Sequence, residues 1–162
     1  MGSEPLADQI VSEIDNVNEL YYRLVLVVAP AGGGKTAALQ EVHKRTDTPL
    51  LNVNLGLSRL MLELTERQRA LQLARLLSEM VNVTETETVL LDNIEVLFDV
   101  ALKQDPLRLL QGLSRNKTVV AAWNGSIRDG KLIYAIPGHP EYREYPARDF
   151  IPICGEILDR SS

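Results

Sequence analysis

The sequence has few of the features that mark secreted, membrane or metal-binding proteins. It contains one cysteine in 162 residues, Cys154, which excludes an internal disulfide and is typical of a reducing cytoplasm. The longest apolar run, Leu24 to Pro30, is far shorter than the roughly 20 residues that cross a bilayer. The N-terminus carries no signal-peptide pattern. We therefore predict a cytoplasmic protein that makes no membrane contact.

Positive charge is also scarce. The formal net charge of −5 argues against a surface whose overall field attracts nucleic acid. The candidates for a local DNA contact are Arg59, Arg67, Arg69 and Arg75. Glutamates alternate with these arginines, so we interpret the stretch as a solvated helix face, and the charge pattern gives no support to DNA binding.

The remaining composition, 45% hydrophobic and 24% charged, favours a globular protein, and we predict a single domain over residues 1–162. Residues 1–20 are expected to hold a leading amphipathic helix, because apolar residues recur there at steps of three and four. Four strands are predicted at Leu24–Val28, Pro49–Asn54, Val89–Leu91 and Thr118–Trp123. Residues 126–162 are expected to contain further short strands, at Lys131–Ile136 and Phe150–Ile153, separated by a turn at Pro137–Pro140.

Helices are predicted between the strands. They are expected after Lys35, at Ser58–Leu64, after a capping box that begins at Thr65, from about Asn93 to Lys103, and from Pro106 to Leu113. Alternating strands and helices require right-handed crossovers that cover both faces of a sheet. The predicted fold is therefore a three-layer α/β sandwich with a mostly parallel central sheet.

The segment Ala29-Pro-Ala-Gly-Gly-Gly-Lys35-Thr36, here called the phosphate loop, matches the Walker A pattern except that Ala29 replaces its first glycine. Adjacent glycines let backbone N–H groups turn toward an anion at the start of a helix. Lysine and threonine at this spacing can contact phosphate oxygens and Mg²⁺. The sequence therefore predicts a site for a nucleoside triphosphate with Mg²⁺, and we expect the nucleotide to be ATP, although no residue in the sequence decides between ATP and GTP. The predicted binding residues are Ala31, Gly32, Gly33, Gly34, Lys35, Thr36 and Ala37.

Asp92 follows the apolar strand Val89–Leu91, which is the Walker B arrangement. A carboxylate at the mouth of a buried strand can hold Mg²⁺ through its water shell, so Thr36 and Asp92 are the predicted metal residues. Asp92 lies 57 residues after Lys35 (92 − 35), which leaves room for a further strand between the two motifs.

Hydrolysis is less directly indicated than binding. The residue after Asp92 is the amide Asn93, so no second carboxylate follows the strand directly. Glu95 is the nearest downstream carboxylate and is either a base that orients water or an ordinary acidic residue of a first helical turn. Asn124 is either a polar sensor of the terminal phosphate or part of an Asn-Gly turn. With Lys35, these residues are the catalytic candidates.

An arginine from a neighbouring subunit would supply positive charge to the transition state. Arg115 and Arg128, which flank the fourth strand, are the candidates. For each of them a solvated surface arginine is the alternative.

The spacing of the two motifs resembles the additional-strand class of P-loop ATPases, which includes the AAA+ and STAND groups. The chain as a whole resembles BrxF, a family of small P-loop proteins from some BREX bacteriophage-defence systems. This resemblance rests on the phosphate loop, Leu51–Leu55, Leu91-Asp-Asn-Ile-Glu95, Trp123-Asn-Gly125 and Pro137–Tyr142. It implies a bacterial cytoplasmic ATPase that works with other BREX proteins.

Fewer than forty residues follow the fourth strand, which is too few for the helical lid of AAA+ proteins. We therefore expect a homo-oligomer or a larger partner to complete the site, with nucleotide state controlling assembly. Two alternatives stay open at this point. One is a nucleotide-gated binding module with little hydrolysis, and the other is a small-molecule P-loop kinase.

Overall fold

The computed structural model describes residues 5–32, 34–135 and 140–154. The strands are β1 (Leu24–Ala29), β2 (Leu50–Asn52), β3 (Thr88–Asp92), β4 (Thr118–Arg128), β5 (Lys131–Tyr134), β6 (Arg143–Pro146) and β7 (Ile151–Cys154). The α-helices are α1 (Leu6–Asn16), α2 (Lys35–Thr46), α3 (Val53–Leu60), α4 (Glu66–Asn82) and α5 (Pro106–Leu113). The predicted alternation of strands and helices is confirmed.

Five strands form a parallel sheet in the order β2-β3-β4-β1-β7. The far half of β4 leaves this sheet and pairs antiparallel with β5, which pairs antiparallel with β6. The chain therefore has an α/β fold with a mostly parallel sheet, as predicted, and a small antiparallel extension at one end of β4.

Helices cover both faces of the sheet, and every residue of β1 is therefore buried. Leu24, Leu26 and Val28 point into a core shared with α3, α4 and α5. Val25 and Val27 point into a second core shared with α1 and α2. Burial on both faces explains why β1 has a continuous apolar run without alternation.

Polar side chains set the starts of three helices. Thr65 and Gln68 form the predicted capping box at α4, with both reciprocal hydrogen bonds present. Asp105 caps α5 through the Arg108 N–H, and Pro106 occupies the first turn. Asn52 caps α3 through the Leu55 N–H, so this helix begins at Val53 rather than at Ser58 and β2 ends two residues earlier than predicted.

The helix predicted from about Asn93 to Lys103 is wrong. Two short 3₁₀ segments occupy that region, Glu95–Phe98 and Val100–Leu102. Asn93 has a left-handed φ of 55°, and Asp99 between the segments has an extended ψ of 119°. These two backbone conformations interrupt any continuous helix.

The antiparallel extension is longer than the sequence pattern indicated. β4 continues through Asn124 and Gly125 to Arg128, and Asp129-Gly130, both with positive φ, close a tight hairpin to β5. A Cβ at position 125 would collide with the backbone carbonyl of Ile133 on β5, so this close approach requires glycine. Strand β6 was not predicted.

The C-terminal boundaries differ slightly from the predictions. β5 ends at Tyr134, and β7 spans Ile151–Cys154 rather than Phe150–Ile153. Ile136 and the turn residues Pro137, Gly138 and His139 lie outside the described residues. No helix in the described part of the chain combines the length and the apolarity that a membrane crossing needs.

Candidate nucleotide site

The candidate site lies at the carboxyl edge of the parallel sheet. Strands β1 and β3 end at this edge, at Ala29 and Asp92, and β4 leaves the parallel sheet there after Asn124. Strand order reverses at β1, because β2, β3 and β4 lie on one side of it and β7 on the other. In α/β sheets, ligands bind outside the carboxyl ends of the strands at such a reversal.

The phosphate loop joins β1 to the N-terminus of α2. Gly32 and Gly34 have φ values of 81° and 89°, a conformation that side chains with a Cβ rarely adopt. Ala31, Gly32 and Gly34 are exposed, as is Ala37 in the first turn of α2. Gly33 lies outside the described residues. The free N–H groups at the start of α2 and the exposed loop backbone form a ready site for an anion.

Lys35 is the first residue of α2 and is only 5% exposed. Its Nζ donates hydrogen bonds to the carbonyls of Ala29 at 3.0 Å and Pro30 at 2.7 Å. Burial lowers the pKa of Lys35, while the nearby carboxylates of Asp92 and Glu95 oppose that shift. The ammonium therefore lies inside the loop within electrostatic range of both acidic residues.

Thr36 and Asp92 are in direct contact. The Thr36 hydroxyl donates to Oδ2 of Asp92 at 2.7 Å, across 56 positions of sequence. The other carboxylate oxygen of Asp92 accepts from the Asn93 N–H at 2.9 Å, and Asp92 is 8% exposed. The structure thus brings the two predicted metal residues together, and Thr36 is exposed to solvent.

Three polar side chains from separate elements form an amide–carboxylate cluster: Asn54, Glu95 and Asn124. Glu95 accepts from Asn124 Nδ2 at 2.6 Å on one oxygen and from Asn54 Nδ2 at 3.2 Å on the other. The Asn54 side-chain oxygen in turn accepts from the Val96 N–H at 2.7 Å. Glu95 is therefore oriented from two sides and does not lie freely in solvent.

Asn93 explains how Glu95 reaches the cluster. Its left-handed φ of 55° ends β3, and its carbonyl accepts from the Asn54 N–H at 2.8 Å. Asparagine tolerates this conformation better than glutamate does. Position 93 is therefore a bend that turns the chain from β3 back across the sheet edge, so that Glu95 comes to face Asn124.

The interpretation of Asn124-Gly125 as a turn is wrong, because both residues lie within β4. Asn124 pairs in register with Ala29, the first residue of the phosphate loop. This pairing places the Asn124 amide beside the loop and against Glu95. The sequence pattern predicts a site role for Asn124 but none for Asn54. The signal for Asn54 is its position just beyond the carboxyl end of β2.

The two candidate arginines lie at opposite ends of β4. Arg115 precedes β4, and its guanidinium carbon lies 4.7 Å from the ring centre of Tyr21. Arg128 ends β4 on the same side as the phosphate loop. Arg115 is therefore remote from the site of its own chain.

The charges and atom types around the site have clear chemical consequences. Lys35 contributes one positive charge, while Asp92 and Glu95 contribute two negative charges. The oxygens of Thr36 and Asp92 are ligands that Mg²⁺ accepts, directly or through water. A triphosphate would add further negative charge, which a divalent cation at these oxygens would offset.

No protein-family model matches this chain, and a comparison with curated proteins gives no match. Among solved structures, the chain is similar to C. elegans PCH-2, with a TM-score of 0.41 and 17% sequence identity. The similarity covers 76% of this chain and 37% of the PCH-2 chain. This chain thus corresponds to little more than a third of that protein, and the overlap is too loose to carry a functional argument.

Proposed function

We propose that the chain is a single P-loop domain that binds ATP with Mg²⁺ and hydrolyses it. The observation that carries the proposal is the 2.7 Å hydrogen bond from Thr36 to Asp92. It joins a Walker A threonine to a carboxylate that follows a different buried strand. A glycine-rich turn that only connected a strand to a helix would not need this partner.

The residues of the phosphate loop fit a triphosphate. Gly32 and Gly34 expose backbone in a conformation that a Cβ would strain, and α2 presents unpaired N–H groups to the same space. Lys35 is held by two loop carbonyls and can exchange them for phosphate oxygens. A buried ammonium gains more from an anionic partner than an exposed one, because water screens it less.

The residues around Asp92 fit Mg²⁺. Thr36 offers a hydroxyl oxygen and Asp92 a carboxylate, and the hydrogen bond between them leaves their remaining lone pairs available. When bound, the ion neutralises charge on the β- and γ-phosphates. The protein's contribution is to keep the two oxygens at one place on a rigid sheet edge.

For hydrolysis, we assign Glu95 as the residue that orients and deprotonates water, with Asn124 as its polar partner. The support is geometric, since both side chains meet beside the loop at 2.6 Å. Their amide–carboxylate contact keeps the carboxylate directed toward the sheet edge. A general base held in this way needs no adjustment when water arrives.

The strand order supports assignment to the additional-strand class, because β4 lies between the strand of the phosphate loop and the strand of Asp92. Within that class the motifs resemble those of BrxF, and we propose that the chain acts with other components of a bacterial BREX anti-phage system in the cytoplasm. We also propose that it self-associates, because the phosphate loop is open to solvent.

A nucleotide-gated binding module is a second candidate, and one observation favours it. Both carboxylate oxygens of Glu95 already accept hydrogen bonds, from Asn54 and Asn124. A carboxylate whose two oxygens both accept amide hydrogen bonds has fewer lone pairs left to accept a proton from water. Such a protein would bind ATP and change assembly with very slow turnover.

Three measurements on one preparation test these proposals. Titration with a fluorescent ATP analogue in Mg²⁺ should give saturable binding, and phosphate release should exceed that of the Thr36→Ala variant. Light scattering with ATP and with ADP should give different masses. Binding without phosphate release would favour the gated module. The absence of nucleotide binding would overturn the P-loop assignment itself.

A further inference from the structure

A cavity of about 570 Å³ opens beside the first residues of the phosphate loop. Its walls include Pro30 and Ala31 from the loop, Glu95 and Asn124 from the amide–carboxylate cluster, and Arg128 from the end of β4. Of the described loop residues, Gly32, Gly34 and Thr36 do not line it. The cavity therefore adjoins the first residues of the loop, next to Glu95 and Asn124.

The position of Arg128 is fixed by strand geometry. Side chains at alternate positions of a strand share a face, so Asn124, Ser126 and Arg128 point the same way along β4. Arg128 pairs with Lys131 across the hairpin that Asp129 and Gly130 close. Strand β4 thus places Asn124 beside the loop and Arg128 four residues further along the same face, and both side chains line the cavity.

The chemistry of the cavity points to a use for this guanidinium. Within the described residues that line it, Arg128 is the cationic side chain, Glu95 and Glu141 are acidic, and the loop residues Pro30 and Ala31 are apolar. Lys35 lies inside the loop, bound to the Ala29 and Pro30 carbonyls. A terminal phosphate that extended from the loop into the cavity would meet the positive charge of Arg128 on the side away from the loop.

We propose that Arg128 acts in cis, as the positively charged partner of the terminal phosphate held by its own chain. This inference rests on the proposed nucleotide binding and goes beyond it. Arginine suits the role because its guanidinium stays charged and presents several donors in one plane to phosphate oxygens. A subunit completed by its own Arg128 discriminates ATP from ADP without a neighbour.

The test is the ratio of affinities for ATP and ADP. Arg128→Ala should weaken ATP binding about tenfold and leave ADP binding unchanged, because ADP lacks the phosphate that the guanidinium contacts. Arg128→Lys should keep part of the discrimination. Lys131→Ala is the matched control, since it removes the same charge from the facing strand of the same hairpin and lies outside the cavity lining.

A mixing experiment separates action in cis from action in trans. Excess Lys35→Ala protein, which keeps Arg128, is added to Arg128→Ala protein, and ATP affinity is measured again. Unchanged affinity supports action in cis, whereas recovery would show that Arg128 reaches a neighbouring site and would overturn the proposal. Equal loss of ATP and ADP affinity in Arg128→Ala, or no loss, would also overturn it.

The wild-type titration distinguishes this inference from the function on which it depends. If the wild type binds neither nucleotide, the P-loop assignment fails and the role of Arg128 fails with it. If the wild type binds ATP and ADP with equal affinity, the P-loop assignment stands and the role of Arg128 alone is wrong.

Discussion

The two parts of the site are built in opposite ways. The phosphate loop is a contiguous run of eight residues whose backbone supplies most of its chemistry, with Asp92 as the one distant partner. The amide–carboxylate cluster has no contiguous motif, because its three side chains come from α3, β4 and the 3₁₀ segment after β3. The first part is thus specified locally and the second only by the fold.

This difference separates binding from turnover. A loop that offers backbone N–H groups and one lysine binds phosphate whether or not hydrolysis follows. In the proposed mechanism, the cluster acts on the reacting water and has no direct part in holding the β-phosphate. Substitutions in the cluster should therefore change the rate, while substitutions in the loop and at Asp92 should change affinity.

The largest expected effect is on turnover in Glu95→Gln. Loss of a positioned general base typically lowers a rate about 10²- to 10⁴-fold, and glutamine keeps nearly the same size. Phosphate release should fall by this order while ATP affinity stays close to that of the wild type. Asp99→Asn is a suitable control because it removes an exposed acid from the same loop and keeps an acceptor for the Ala101 N–H. Wild-type turnover in Glu95→Gln would remove Glu95 from the mechanism.

Lys35→Ala should give the next largest effect, on affinity. A hydrogen bond to a charged group contributes about 1.5–3 kcal/mol, which corresponds to about 10- to 100-fold in the dissociation constant. A fluorescent nucleotide titration measures it. Lys44→Ala removes the same charge from an exposed position of α2 and should leave affinity unchanged. Equal losses in both variants would mean that general charge, not the loop, attracts the nucleotide.

The place of the phosphate loop, between β1 and α2, is predictable from the sequence because its information is local. Three adjacent glycines, a lysine and a threonine between an apolar strand and a helix depend little on the rest of the chain. Asp92 was also predictable, since one carboxylate after an apolar strand marks a strand end. The α/β fold with a mostly parallel sheet followed from the alternation of apolar runs with helical periodicity.

The rest depended on interactions that a single sequence does not display. The sequence pattern places Asn54 at the end of β2. In the structure the Asn52 side chain starts α3 before it, and Asn52 is recognisable as a cap only once the helix is seen. Asn124 looked like a turn residue, because antiparallel pairing with β5 extends β4 beyond the parallel sheet. The Asp129-Gly130 pair was a readable hairpin signal for that extension.

Asp92→Asn should have a smaller effect that depends on the metal. Asparagine keeps an oxygen for the Asn93 N–H but removes the negative charge that faces Thr36. The gain in ATP affinity on addition of Mg²⁺ should fall about tenfold, a typical loss when a group that orients a metal's ligands is removed. Affinity measured with a chelator should change little. A similar loss with and without Mg²⁺ would assign Asp92 a purely structural role.

Asn54→Ala should have the smallest effect of the four, and it tests the cluster most directly. The substitution removes one of the two amide donors that fix Glu95 and also the acceptor of the Val96 N–H. A single hydrogen bond contributes about 0.5–1.5 kcal/mol, so turnover should fall about two- to tenfold while ATP affinity stays unchanged. Ser58→Ala, an exposed site on the same helix α3, controls for general effects on that helix. Faster turnover in Asn54→Ala would reverse the assignment, because it would mean that Asn54 restrains the Glu95 carboxylate and that hydrolysis begins when this contact is released.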